Sequence, residues 1–196
     1  SNFALAPWDY FFVLLFSFPL FFLVLQEIYD EKQIKNKILS FILFGNIFLF
    51  GYFLFGLLWI SSAFDYREGF AELKFISILG LPLLLCLITT PGWILTVFLW
   101  GKGLRGCFAL SAGIITGEFL RSYLFSGFPW NLFGHSIGFN DLSMQVGSIF
   151  GFYLSGFFVI LFALAPVLFL KKNTLIWGIT FSLILPICML YGYLRL

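Results

Sequence analysis

Residues 144 to 170 read MQVGSIFGFYLSGFFVILFALAPVLFL, contain no Asp, Glu, Lys or Arg, and are stopped by Lys171 and Lys172. A helix of about 20 apolar residues crosses a hydrocarbon layer about 30 Å thick, and this run is longer than that. A helix on a soluble core would break such a run with polar residues on its outer face. The stretch therefore reads as a membrane-spanning helix.

The same pattern repeats on both sides. Downstream, residues 174 to 194 form a comparable run, and upstream lie 104 to 124, 75 to 100, 38 to 60 and 8 to 26. Together they predict an all-α, polytopic membrane protein, a bundle of about six transmembrane helices. Residues 1 to 196 are expected to form one transmembrane domain without a soluble one. Pro82 and Pro91 predict bends in the third span, since each removes a backbone donor.

Composition agrees with this class. Apolar residues make up 61% of the chain and charged residues 10%, against roughly 25% charged in ordinary soluble domains. So few charges cannot cover a water-soluble fold of this size. The formal charge of +2 gives no footing for nucleic acid.

Where the basic residues sit sets the expected orientation. Lys32, Lys35, Lys37, Lys102, Arg105, Lys171 and Lys172 fall on one side of the six spans. Arg67, Lys74, Arg121 and Arg195 fall on or toward the other. Basic loops favour the cytoplasmic side, so both ends of the chain are expected to face outward, toward the periplasm if the cell is Gram-negative, with the protein in the inner membrane.

Candidate functional residues gather between the fourth and fifth spans. Glu118 and Arg121 are three residues apart, so on a helix they share a face and are expected to pair. Ionisable groups inside an apolar segment are costly there and mark function or a structural ion pair. Removing one partner is expected to cost more than removing both. Two small-residue ladders, Ala109-Gly113-Gly117 and Gly147-Gly151-Ser155, predict close helix contacts. Between them lies the turn Phe125-Ser126-Gly127-Phe128-Pro129-Trp130-Asn131-Leu132-Phe133-Gly134-His135-Ser136. Gly127 and Pro129 stop a helix, and Phe128, Pro129, Trp130 and Phe133 are the candidate lipid- or substrate-binding residues. An interfacial aromatic belt is the simpler account of such rings.

Other chemistry is sparse. Cys86, Cys107 and Cys188 sit in or beside apolar runs without metal spacing, where Cys acts as a small hydrophobe. His135 is the single histidine and reads as a polar loop residue. No metal site, cofactor or signal peptide is expected.

A resemblance extends this reading. The run Gly117 to Trp130 is similar to the E-x-L-R-x-x-x-x-[ST]-G-F-P-W signature of bacterial apolipoprotein N-acyltransferases. The similarity continues through Gly134-His135-Ser136 and Gln145 to Gly151. Ala6-Pro7-Trp8-Asp9-Tyr10 resembles that family's A-P-x-D-Y turn, and Gly56 to Ile60 its G-x-x-W-[IV] stretch.

The resemblance implies transfer of an acyl chain from a phospholipid donor to the diacylglyceryl-cysteine of a lipoprotein. In that family a membrane domain precedes a periplasmic nitrilase-like domain with a Glu-Lys-Cys triad, whose Cys carries the acyl group as a thioester. No triad residue maps onto this sequence, and His135 stands where the family has Tyr. The expectation is a membrane domain alone, inactive by itself: a fragment, a decayed gene product, or a subunit partnered by a separate nitrilase-like chain. Alternative readings are a non-catalytic lipid-binding scaffold and a small permease.

Overall fold

The computed structural model describes residues 2–5, 8–31, 34–66 and 71–196. Lys32 and Arg67 of the charge pattern, and Ala6 and Pro7 of the N-terminal motif, lie outside them. Among the described residues the chain is helical, with no strand.

A 3-10 turn, Phe11–Val13, leads into α1, Leu14–Glu31, and α2 follows as Ile34–Gly56. After a 3-10 segment, Leu58–Tyr66, come α3, Ala71–Leu99, and α4, Leu104–Tyr123. The connection to the next long helix holds 3-10 turns Leu124–Ser126 and Phe133–Phe139 and a short α5, Asp141–Met144. The chain ends with α6, Gly147–Phe169, α7, Leu175–Ser182, and α8, Ile184–Arg195.

Five of these segments are long and apolar enough to cross a membrane: Phe11–Glu31, Asn36–Gly56, Leu73–Leu99, Gly147–Phe169 and Lys172–Arg195. The protein is an all-α polytopic membrane protein. The sequence reading of about six spans includes α4, which has 20 residues, about 30 Å of helix. It is less apolar because its neighbours are helices rather than lipid. It packs along α3 and α6 and touches α1, and Gly106, Ser111, Gly113, Gly117, Glu118 and Arg121 are all buried.

Local geometry departs from six straight rods. The second span stops at Gly56, and residues 58–66 wind as 3-10 turns. The third is one continuous helix that contains both Pro82 and Pro91. The fifth breaks at Gly151, whose φ of 63° and ψ of 179° are not helical. The sixth is divided at Leu183 into α7 and α8, three residues before Pro186, whose missing N–H cannot serve the Ser182 carbonyl.

The first small-residue ladder does what its spacing predicts, against α3. A Cβ at Gly113 would strike the backbone of Gly92 and the hydroxyl of Thr96, and one at Gly117 would press on Thr89. Small residues at these levels let α3 and α4 touch backbone to backbone. The second ladder does not. Gly151 has open space around its Cβ position, and Gly147 meets only the Phe152 ring at 3.9 Å. The close approach on α6 belongs instead to Gly156, which lies against the backbone of Gly134. The reason is the break at Gly151, which takes Gly147 off the face that its spacing assigns to it.

Candidate functional site

α4 ends beside the connection to α6, and the side chain that organises that connection is Arg121. Its guanidinium is buried. Nη1 donates to the carbonyls of Phe128 at 2.7 Å and Trp130 at 2.6 Å, and Nη2 donates to Asn131 O at 2.9 Å. The Phe128 N–H returns a bond to the Arg121 carbonyl at 2.8 Å. A planar fork of donors suits a row of carbonyls that point inward from a turn. The Phe53 ring lies 5.1 Å from the guanidinium carbon, within cation–π range.

Glu118 lies one turn earlier on the same face. Its Oε1 accepts the Phe133 N–H at 2.7 Å and stands 3.8 Å from Arg121 Nη2. The two charges are neighbours, yet each makes its closest bond to the loop backbone. Together they satisfy four backbone groups of residues 128 to 133 in a place where water cannot.

The turn needs unusual backbone. Gly127 has φ 82°, and a Cβ there would run into the Ser122 carbonyl. Asn131 has φ 54°, a region that Asn tolerates better than most residues. Its Nδ2 donates to Gly56 O at 2.9 Å and its carbonyl accepts from the Tyr52 hydroxyl at 3.0 Å. The turn is thereby tied to α2 as well as to α4.

The candidate aromatic residues divide. Trp130 is 55% exposed and its ring lies 5.4 Å from that of Trp59 at a tilt of 43°. Pro129 is exposed and Phe128 half-buried beside it. Phe133 instead points into the bundle at 1% exposure, stacked on Tyr52 at 4.5 Å and edge-on to Phe18 at 5.2 Å. The geometry pairs Trp130 with Trp59, leaves Phe128 against the core, and makes Phe133 an interior anchor.

After Phe133 the chain folds inward. Gly134, Ser136 and Ile137 are buried in the turn Phe133–Phe139, which packs on α6. His135 is half-buried. Its Nδ1 accepts the Leu132 N–H at 3.3 Å and its ring meets Phe152 edge-on at 4.7 Å. Burial, and then the charge of Arg121, hold its pKa below the usual 6.5. It is an integrated part of the loop rather than a dangling polar group.

Sequence reasoning missed Tyr52, Phe53, Trp59 and Asn131. Asn131 carried a signal, being an amide directly after the Pro-Trp pair. Trp59 stood in the G-x-x-W-[IV] stretch, but nothing local tied it to Trp130, and Tyr52 and Phe53 carried no signal, because a contact across about 70 residues leaves no local pattern. The thiols lie apart from this site: Cys86 and Cys107 are buried and Cys188 is half-buried. No group of three His, Cys, Asp or Glu able to hold a metal ion occurs among the described residues.

The run that builds this turn is also the run that resembles a known signature, and comparison with known proteins decides the matter. The model of the apolipoprotein N-acyltransferase N-terminal domain matches residues 2–165. The chain belongs to the apolipoprotein N-acyltransferase family. The apolipoprotein N-acyltransferase of Agrobacterium fabrum is 33% identical over 98% of this chain and 37% of its own length. That of Sinorhizobium fredii is 32% identical over 76% of this chain and 29% of its own. That of Brucella suis is 38% identical over 63% of this chain and 24% of its own. The chain thus spans about a third or less of these relatives, and corresponds to the family's membrane domain.

Proposed function

We propose that this chain acts as the lipid-gathering membrane part of an apolipoprotein N-acyltransferase. In this reading a phospholipid is the acyl donor and a lipoprotein's diacylglyceryl-cysteine the acceptor. A nitrilase-like catalytic part, in the same or a separate chain, carries out the transfer. The work of residues 1 to 196 is to hold the amphiphiles at the outer surface of the inner membrane, with both ends of the chain periplasmic.

The observation that carries this reading is the turn braced by Arg121. Three of its carbonyls are fixed from below, while Trp130 and Pro129 are exposed above. A loop that merely joined two helices would not need a buried guanidinium to shape it. A rigid apolar and aromatic edge at the interface suits acyl chains and ester groups, because the Trp ring is apolar with a polar edge. Preorganisation lowers the ordering cost of holding a flexible lipid.

The test is a chimera. The matching N-terminal part of the Agrobacterium fabrum relative is replaced by this chain, and acylation of a diacylglyceryl-cysteine peptide is measured with phospholipid as donor. Turnover within about tenfold of the parent is expected, and Trp130→Ala in the chimera should reduce it. A chimera that inserts and folds yet gives no turnover overturns the reading.

A further inference from the structure

At the far end of α4 from Trp130, two basic turns meet. One is Gly101-Lys102-Gly103, between α3 and α4, with Gly103 at φ 63°. The other is Lys171-Lys172-Asn173-Thr174, between α6 and α7. They abut directly, since a Cβ at Gly103 would stand 3.3 Å from the Thr174 methyl. Thr174 is itself held, its hydroxyl donating to Leu168 O at 2.7 Å and Lys171 O at 3.1 Å. The close approach brings two lysines, far apart in sequence, to one place.

Between these turns and the end of α1 lies a crevice. Phe22, Leu23 and Leu170 are among its apolar lining, and its charged lining is Lys102, Lys171 and Asp30. Asp30 Oδ1 stands 3.1 Å from Lys102 Nζ and balances it. Lys171 has no ion-pair partner among the described residues. The site is therefore a cationic rim on an apolar wall, with one carboxylate for two ammonium groups.

We propose that this crevice binds an anionic phospholipid, its phosphodiester between Lys102 and Lys171 and one acyl chain along Leu23 and Leu170. The binding needs both halves. A zwitterionic headgroup brings a cation of its own to the lysines, and a free phosphate leaves the apolar wall uncovered. Basic crevices between membrane helices at the positively charged side are suited to anionic headgroups, at about 1 kcal/mol for each Lys near the surface. That converts to about fivefold in affinity per lysine. Asp30 has two effects: it orients Lys102 and it competes with the phosphate.

The experiment is native mass spectrometry of the purified chain in detergent, titrated with phosphatidylglycerol, with phosphatidylcholine or with inorganic phosphate. Phosphatidylglycerol should be retained at least fivefold more tightly than phosphatidylcholine. Lys102→Gln with Lys171→Gln should abolish the preference, Lys172→Gln should leave it, and Asp30→Asn should strengthen it. The lysines are exposed, so melting of the double variant should match the parent. Equal retention of both lipids, or a preference that survives in the double variant, overturns the proposal. Inorganic phosphate binding without phosphatidylglycerol retention overturns it too, by showing an ion site without a lipid.

Discussion

Arg121 Nη1 lies 2.6 Å from the carbonyl oxygen of Trp130, a residue nine positions later whose ring is on the outside of the protein. One buried cation thus sets the backbone beneath an exposed aromatic side chain. Its ion-pair contact with Glu118, at 3.8 Å, is longer than any of its bonds to carbonyls.

That order of distances changes the expected mutational pattern. Arg121→Ala leaves the Phe128 and Trp130 carbonyls without a donor and that of Asn131 with Tyr52 alone, and should cost about 3–5 kcal/mol, the range for breaking a buried charged contact. Glu118→Ala should cost less, because it frees one N–H. The double variant should be close to Arg121→Ala alone or worse, and not milder than Glu118→Ala as a simple ion pair would require. Arg121→Lys should recover only part, since an ammonium cannot span three acceptors as a fork does. Thermal unfolding in detergent checks the order. A double variant more stable than Glu118→Ala would show that the salt bridge dominates.

His135 predicts a dependence on pH. Burial and the Arg121 charge lower its pKa in the folded protein, whereas the unfolded chain takes up the proton near 6.5. Below that pH the unfolded state binds more protons than the folded one, so stability falls as pH falls and is fully present above it. Protonating Nδ1 also removes the acceptor of the Leu132 N–H. The melting temperature should drop between pH 8 and pH 5 by more in the parent than in His135→Gln. Parallel curves would exclude the histidine.

Gly127 should resist replacement. At φ 82°, with Ser122 O in the way of a Cβ, Gly127→Ala should cost about 1–3 kcal/mol and loosen the turn that carries Trp130. Gly51→Ala is the control: it lies inside α2 with nothing within 4 Å of its Cβ position. There the change should be neutral or slightly stabilising. Similar losses at both sites in a detergent melt would contradict this account of the turn.

Trp130 should report lipid contact. In a variant keeping it as the lone tryptophan, a phospholipid brominated in the outer leaflet should quench its fluorescence, and acrylamide should quench it less than free indole. Strong acrylamide quenching with no effect of bromine would place the ring in water and remove the lipid-facing edge.

Orientation is open to a direct assay. Alkaline phosphatase fused after Leu196 should be active, and fused after Lys172 inactive, if the basic turns at Lys102 and Lys171 are cytoplasmic. The reverse pattern would invert the topology and put the phospholipid crevice in the other leaflet.

What the sequence by itself determined was the solvent and the all-helical, polytopic class. Hydropathy is local: each run such as 144 to 170 answers to the thickness of a bilayer without reference to the rest of the chain. The i, i+3 spacing likewise placed Glu118 and Arg121 on one face, and Gly127-Phe128-Pro129 marked a break. Only the tertiary structure decided what those groups touch. The Arg121 carbonyl bonds depend on a turn folding back onto α4, and the fates of Phe133 and Trp130 depend on which side of that turn faces Tyr52 and which faces Trp59. The small-residue ladders show the same division. One meets its spacing's promise because α3 offers Gly92 opposite Gly113, and the other fails because the backbone breaks at Gly151. Lys102 and Lys171 are brought together by packing of Gly103 on Thr174. Such pairings are set by the shapes of elements remote in sequence, and no local period encodes them.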